Sequence, residues 1–243
     1  MKAPAGGYIS APALEPVAPV RVSDGQRTTV HMAASLLLDY PGERLYASLP
    51  VLTGSVSGSS RDGLPAPIRD RLIAMIDHLE AIGPQQAQRN YVDTFDLKRK
   101  CSMYLSYFLT GDTRKRGTAL VRFIEAYRAV GFEVDRSELP DFLPLVLEFS
   151  ARAGAVDGGP EIAAGLLNAH RQGIEVLRSS LTSMRSPYAA VVEAVCQTLP
   201  PVSDRVRDRY LELITAGPPT EMVGLSALGP LEPYRATEQE VRI

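Results

Sequence analysis

Apolar residues recur at helical spacing along most of this 243-residue chain, and glycine or proline stands where each pattern stops. In the clearest case Gly83-Pro84 follows an apolar stripe made of Ile68, Leu72, Met75, Ile76 and Leu79. Such spacing places the side chains on one face of a helix, and that face must be buried against other helices. No alternating β-branched run is long enough to compete. The sequence therefore predicts an all-α protein, a single bundle of about eight helices.

The two ends of the chain lack this periodicity. Residues 1–27 are rich in Pro, Ala and Gly, and residues 218–243 are rich in Pro. Segments of this composition bury too little apolar surface to fold alone. We therefore predict a disordered N-terminal arm over 1–27, one helical domain over 28–217 and a flexible C-terminal tail over 218–243.

Four helix boundaries follow from capping and stop signals. The helical pattern starts near Thr28, and Asp112 can cap the helix that follows Gly111. Pro160 is predicted to open one long helix that runs to about Met184, because Pro is favoured in the first turn. Ser203 is predicted to cap the last helix.

Composition excludes several classes of protein. The formal net charge is −2, which gives no electrostatic argument for a nucleic-acid or membrane-surface partner. Pro and Gly interrupt the apolar residues near Met1, so no signal peptide is predicted, and no run approaches the roughly 20 apolar residues of a membrane span. We predict a cytoplasmic protein without stable membrane insertion. Cys101 and Cys196 are too few for a disulfide framework and are predicted to be reduced structural thiols.

No pattern typical of catalysis or of metal binding is present. His31, His78 and His170 fall in separate predicted helices, and none has a second ligand at the spacing that metal sites use. The chain has neither a nucleophile elbow nor a phosphate-binding loop of the Walker type. We therefore predict a protein that is not an enzyme, with no metal, no cofactor and no catalytic residue.

Three cations stand at the start of a predicted helix. They are Arg114, Lys115 and Arg116, between Gly111 and Gly117. Backbone N–H groups at a helix N-terminus favour anions, so these residues are a candidate contact for an anion or for a binding partner. A solvated helix face is the alternative.

Aromatic residues are concentrated just before these cations. The set is Tyr91, Phe95, Tyr104, Tyr107 and Phe108, and these positions cannot share one helical stripe. Aromatic side chains on several faces indicate either burial all round or a groove. Tyrosine suits a groove because it combines apolar area with a polar tip, although core packing is the competing interpretation.

An acidic segment framed by prolines follows, with Glu138, Pro140, Asp141 and Pro144. Pro140 suits the first turn of a helix, and the two carboxylates at a helix start are explained by capping and by the helix dipole. From composition alone these residues need no binding role.

Four segments together resemble a known family. They are YVDTFD (91–96) with the Tyr-rich helix after it, GDTRKRG (111–117), ELPDFLPLVLEF (138–149) and, more weakly, ASLLLDYPGERLY (34–46). They resemble the NarJ-type branch of the TorD/DmsD-like redox-enzyme maturation proteins, which are assembly chaperones of respiratory nitrate reductase.

The resemblance implies a TorD-like helical bundle that binds the N-terminal segment of the nitrate reductase catalytic subunit. It implies that the chain keeps this subunit competent for molybdenum cofactor insertion and complex assembly, alongside proteins that deliver the cofactor, without joining the final enzyme. The implied binding residues are Tyr91, Phe95, Asp96, Tyr104, Tyr107, Phe108, Glu138, Pro140, Asp141 and Pro144. Many relatives carry His where this chain has Phe142, so no role of that His is carried over.

Two other functions fit the residues. A helical anion-binding or nucleotide-binding protein could use Arg114 to Arg116, and a general helical adaptor could serve another client.

Overall fold

The computed structural model describes residues 15–58, 63–111, 113–134, 138–205 and 208. In these residues the secondary structure is helical, and the prediction of an all-α fold is confirmed. Nine α-helices occur in this part of the chain: α1 (Asp24–Leu37), α2 (Glu43–Ser57), α3 (Ala66–Tyr91), α4 (Leu105–Thr110), α5 (Lys115–Ala129), α6 (Leu143–Ala153), α7 (Gly159–Ala169), α8 (Arg171–Ser183) and α9 (Tyr188–Thr198). None of these helices combines the length and the apolarity that crossing a bilayer requires.

The apolar stripes meet in one core. Helix α1 packs on α6 and α9, and α3 packs on α9 and α2. The side chains that line these contacts are fully buried, among them Val30, Leu37, Ile68, Leu72 and Val192. The helical periodicity of the sequence thus marks the residues that form the bundle interior.

Helix α1 begins at Asp24, four residues before the predicted start at Thr28. Ser23 and Gln26 form a capping box: the Gln26 N–H donates to Ser23 Oγ at 3.2 Å, and the Ser23 N–H donates to Gln26 Oε1 at 2.8 Å. Ahead of this helix, the Val20 N–H donates to the Gln197 carbonyl at 2.8 Å. The described part of the predicted arm therefore either belongs to α1 or precedes it with a hydrogen bond to the bundle. The capping box starts α1 although the residues before it are rich in Pro.

The long helix predicted from Pro160 to Met184 is two helices, α7 and α8, which meet at His170. The imidazole Nδ1 of His170 lies 2.8 Å from the Leu166 carbonyl, the acceptor that the His170 N–H would use in a continuing helix. The His170 N–H instead donates to the Leu167 carbonyl, which tightens the last turn of α7. The structure therefore has two helices where the sequence predicts one.

Helix α8 is buried from Arg171 to Leu181 although more than half of its residues are polar. Glu175 is fully buried between two cations: its carboxylate lies 2.8 Å from Arg171 Nη2 and 2.7 Å from Arg178 Nε. The Arg171 guanidinium also donates to the Cys196 carbonyl at 3.3 Å. Buried charges of this kind persist only when paired and hydrogen-bonded, so the network holds α8 in the centre of the bundle.

Helix α3 changes direction at Gly83, where φ is +71° and the predicted stop falls. A helix resumes at once and runs to Tyr91, followed by a π-helical turn over Val92–Asp96 and a 3₁₀ turn over Arg99–Cys101. The predicted break near Phe95 and Asp96 thus takes the form of a π-turn, in which the Leu97 N–H donates to the Val92 carbonyl.

Several predictions fall outside the described residues. These are the cap at Asp112, the C-terminal tail over 218–243, residues 1–14 of the arm, and most of the last helix after Ser203. Helix α5, which Asp112 was predicted to cap, begins at Lys115.

Candidate functional site

The aromatic and acidic segments of the sequence are joined through their backbones. Tyr104 and Phe142 form an isolated antiparallel bridge. The Leu143 N–H donates to the Met103 carbonyl at 2.8 Å, and the Leu105 N–H donates to the Asp141 carbonyl at 3.0 Å. Each segment stands just before a helix, α4 or α6, so the pairing brings both helix starts to one place.

Asp141 caps a helix, but a different one from the helix predicted. Its carboxylate Oδ2 accepts from the Ser106 N–H at 3.1 Å and from Ser106 Oγ at 2.6 Å. Ser106 is the second residue of α4, so Asp141 supplies a side-chain cap from 35 residues away. Helix α6 itself starts at Leu143, with Phe142 as its N-cap residue and no side-chain cap. The predicted helix start at Pro140 is therefore wrong by three residues.

Beside this junction lies a cavity of about 430 Å³. It is lined by Asp39, Tyr40, Tyr91, Phe95, Asp96, Arg99, Ser102, Met103, Tyr104, Tyr107, Arg116, Glu138 and Phe142. Seven predicted site residues are in this set: Tyr91, Phe95, Asp96, Tyr104, Tyr107, Arg116 and Glu138. The cavity is therefore bounded by the loop after α1, the π-turn after α3, and the two paired segments.

The other six predicted residues do not line the cavity. Phe108 is buried against Val176 and the backbone of Gly173. Pro140, Asp141 and Pro144 are buried behind the wall, and the Tyr127 hydroxyl donates to the Pro140 carbonyl. Arg114 and Lys115 are exposed at the start of α5. These positions support or flank the cavity.

Aromatic rings form much of its wall. The ring centroids of Tyr40 and Tyr91 are 5.4 Å apart, those of Tyr91 and Phe95 are 4.8 Å apart, and those of Tyr104 and Phe142 are 5.5 Å apart. Edge-to-face and tilted pairs at these distances hold one another in place. Much of the wall is therefore a surface of mutually packed aromatic rings.

Three carboxylates line the same cavity: Asp39, Asp96 and Glu138. The Tyr104 hydroxyl donates to Glu138 Oε1 at 3.1 Å. Desolvation and the nearby Glu138 charge raise the pKa of Tyr104 to about 12, so its hydroxyl stays protonated and keeps donating. Desolvation, with smaller contributions from neighbouring acids, also raises the pKa of Asp39. Glu138 thus lies close enough to Asp39 to contribute to the raised pKa of that carboxyl group.

Exposed apolar residues stand directly beside each acid in sequence. Tyr40 follows Asp39, Leu97 follows Asp96, and Leu139 follows Glu138; their exposed fractions are 49%, 71% and 40%. Large apolar side chains left open next to charged ones are typical of a surface that binds another chain.

Sequence comparison places the chain in a known family. The family model described as "Nitrate reductase delta subunit" matches residues 61–193, which is more than half of the chain. The chain belongs to this family. All lining residues except Asp39 and Tyr40 lie within the matched segment, and the resemblance to NarJ-type chaperones is confirmed.

The relatives of this chain include named assembly chaperones and a nitrate reductase-like protein. It is 31% identical over 173 residues to the probable nitrate reductase molybdenum cofactor assembly chaperone NarJ of Bacillus subtilis strain 168, covering 71% of this chain and 89% of the relative. It is 33% identical over 143 residues to the chaperone of that name from Escherichia coli K12, covering 57% and 60%. It is 39% identical over 169 residues to the nitrate reductase-like protein NarX of Mycobacterium tuberculosis H37Rv, covering 70% of this chain but about a quarter of NarX.

The cavity residues that sequence reasoning missed are Asp39, Tyr40, Arg99, Ser102, Met103 and Phe142. Asp39 and Tyr40 belong to the stop signal after α1, in the segment that carries the weaker family resemblance. The sequence could therefore have indicated that these two residues belong to the site. Ser102 and Met103 carry no comparable signal, because their place depends on the pairing with residues 141–143.

Two titratable side chains outside the cavity, His31 and Cys101, are buried in the bundle. His31 is buried, with its two ring nitrogens 2.9 Å from Ser150 Oγ and 2.9 Å from Thr198 Oγ1, and burial lowers its pKa to about 3. Burial raises the pKa of the Cys101 thiol to about 11. Within the ranges that the structure describes, no three His, Cys, Asp or Glu side chains are grouped as metal ligands would be.

Proposed function

We propose that this chain is an assembly chaperone of a respiratory nitrate reductase. In this proposal it binds the N-terminal segment of the catalytic subunit in the cytoplasm and keeps that subunit competent for molybdenum cofactor insertion and complex assembly. It acts alongside proteins that deliver the cofactor, is not an enzyme, and does not remain in the finished complex. Similarity to the assembly chaperones of Bacillus and Escherichia supports the chaperone role.

The observation that carries the proposal is the cavity, whose wall is aromatic and whose charged groups include three carboxylates. An amphipathic helix binds such a groove by laying its apolar face on the rings and its cations against the acids. Tyr40 lines the cavity and is half exposed, and the exposed Leu97 and Leu139 each follow in sequence an acid that lines it. A helix longer than the cavity itself therefore finds further contacts on the surrounding surface.

The two kinds of contact contribute differently. Desolvated aromatic side chains dominate the affinity of most interfaces, whereas rim charges set the rate of association and the choice of partner. Because every 1.4 kcal/mol is about tenfold in affinity, loss of one aromatic contact worth about 2 kcal/mol would weaken the binding of the segment more than tenfold.

The test is isothermal titration with a synthetic peptide of the first residues of the co-expressed catalytic subunit, about 20 residues long, which spans roughly 30 Å as a helix. We expect micromolar or tighter binding. Tyr40→Ala should weaken it by about tenfold or more, since it removes half-exposed aromatic area at the mouth. Glu138→Gln should weaken it several-fold, and more at low salt.

Glu125→Gln is the matched control, because Glu125 is exposed on α5 and does not line the cavity. Asp141 is unsuitable as a test position, since it is fully buried and its replacement would report on folding. A folded protein that does not bind the peptide at high concentration would refute the proposal and favour an adaptor for another client. Tight binding unaffected by Tyr40→Ala and Glu138→Gln would keep the chaperone and place the segment elsewhere.

A further inference from the structure

An uncharged groove lies between α1 and α2 and shares no residue with the aromatic cavity. Its volume is about 470 Å³, and none of the residues that line it is charged. Ala33 and Leu52 are buried in it, whereas Met32 and Leu36 are half-buried. Val51, which also lines it, is 73% exposed. A large apolar side chain left this open beside an uncharged groove is typical of a surface that another segment covers.

The chain leaves α9 close to this groove. Thr198, the last residue of α9, has its Oγ1 atom 2.9 Å from Nε2 of His31 in α1. Pro200 and Thr28 line one cavity together, and Thr28 also lines the groove. The residues that follow α9 therefore start beside the first half of α1, and the groove is bordered by the same part of that helix. The separation is of the order of one helix diameter, roughly 10–12 Å.

The sequence past the described residue 208 contains a segment that matches the groove in chemistry. Residues 222–231, MVGLSALGPL, form an uncharged run between Glu221 and Glu232. Its large apolar residues are Met222, Val223, Leu225, Leu228 and Leu231. A groove without charged side chains accepts such a run without burying an unpaired charge, which would be costly.

The run can reach the groove. If residues 209–217 are helical, as the predicted last helix implies, residues 209–221 still span about 25 Å, at about 1.5 Å per helical and 3.3 Å per extended residue. A segment tethered in this way meets its site at an effective concentration of about millimolar, so a weak affinity is enough. The N-terminal arm enters the described structure elsewhere, at α8, where the Glu15 carbonyl accepts from Arg178 at 2.9 Å.

We propose that residues 222–231 dock in the groove between α1 and α2 of their own chain and cover Val51. The segment that connects these two helices supplies Asp39 and Tyr40 to the aromatic cavity. The docked run thus contacts both helices that hold this part of the cavity wall. The inference is independent of the client, because it concerns two parts of one chain.

The experiment measures how fast a maleimide labels Val51→Cys in the full chain. The native thiols of Cys101 and Cys196 are buried and give a low background. A second protein adds Leu225→Asp and Leu228→Asp to Val51→Cys, which places charge inside the uncharged run.

Two matched controls accompany it. Ala236→Asp with Thr237→Asp adds the same charge to the tail outside the run. Val121→Cys places a thiol at a position of α5 that is 50% exposed and does not line the groove. Circular dichroism and Tm should be the same for all tail variants, because the tail substitutions lie outside the predicted helical domain.

We expect Val51→Cys to react about fivefold faster when Leu225 and Leu228 are replaced, as for a tethered segment that occupies its site about four-fifths of the time. The tail control should change the rate less than about twofold. Val121→Cys should react at one rate whichever tail it carries.

Three results would overturn the proposal. Equal rates for Val51→Cys with the native and the substituted run would show that the run does not cover the groove. Protection that increases with protein concentration would assign the groove to a second copy of the chain. Protection that survives the two Leu substitutions but is lost when residues 1–14 are deleted would assign it to the N-terminal arm.

Discussion

The close approach of α4 and α8 provides a test of the fold beneath the cavity. Gly173 is the third residue of α8 and faces Phe108 of α4. A β-carbon on Gly173 would lie 2.7 Å from Phe108 Cδ2 and 3.0 Å from Phe108 Cβ. Phe108 has an exposed fraction of 1%, so its ring has little space into which to move. We therefore expect Gly173→Ala to force the two helices apart.

The magnitude follows from two opposing terms. Overpacking a well-packed site destabilises by about 1–3 kcal/mol, whereas Ala in place of Gly stabilises a helix by up to about 1 kcal/mol. Gly117 is the third residue of α5 and has nothing within 4 Å of an added β-carbon. Gly117→Ala therefore carries the second term alone, and the difference between the two variants is the clash, about 1–3 kcal/mol.

The free energy of unfolding of both variants and the parent would be measured by urea titration, with thermal melting as a check. The expected difference in Tm between the variants is about 2–4 °C for each kcal/mol in a chain of this size. Gly173→Ala should also weaken peptide binding, because Tyr107, next to Phe108, lines the cavity. Equal stabilisation by both substitutions would refute the reasoning. Partial recovery in the double variant with Phe108→Leu would support it.

Three further predictions concern buried groups. Burial lowers the pKa of His31 to about 3 in the folded protein from the ordinary 6.5, so the unfolded chain takes up a proton first as the pH falls. The contribution of neutral His31 to the free energy of unfolding is therefore complete above pH 6.5 and has fallen by about 2 kcal/mol at about pH 5. Urea titrations at several pH values should show a flatter profile for His31→Gln, and an unchanged slope would contradict the assignment. Glu175→Ala leaves Arg171 buried without its carboxylate and should cost about 3–5 kcal/mol in the same titration; a cost below about 1 kcal/mol would mean that the network adds nothing. Burial raises the pKa of Cys101 to about 11 and that of Cys196 to about 12. Neither thiol should therefore react with a thiol reagent at neutral pH until the protein unfolds. Fast labelling of the native protein would contradict this prediction, because it would show that one thiol is accessible.

The helices were predictable wherever the signal is local. The stripe from Ile68 to Leu79 and the stop at Gly83 lie within a few helical turns, and the structure places both as expected. The break at His170 was missed because it comes from a single side-chain bond to the Leu166 carbonyl, which leaves the apolar spacing unchanged. The start of α1 was missed because the capping box of Ser23 and Gln26 stands inside a Pro-rich segment.

The candidate site was predictable in part for the same reason. The aromatic residues of 91–107 are close in sequence, and Tyr91, Phe95, Tyr104 and Tyr107 all line the cavity. Phe108 belongs to the same run but points to Val176, since helical neighbours face different directions. Whether an aromatic residue contacts a ligand or a neighbouring helix depends on what packs against it.

The sequence by itself determined the all-α class, most helix stops and the family, because each of these is written in residues a few positions apart. Only the folded chain shows that Asp141 caps α4 from 35 residues away, that Ser102 and Met103 line the cavity, and that Arg116 stands over Tyr104. Periodicity fixes which face of each helix is buried. It does not fix which connecting segments meet once those faces are packed, and most of the residues that line the cavity lie in such segments between the α-helices.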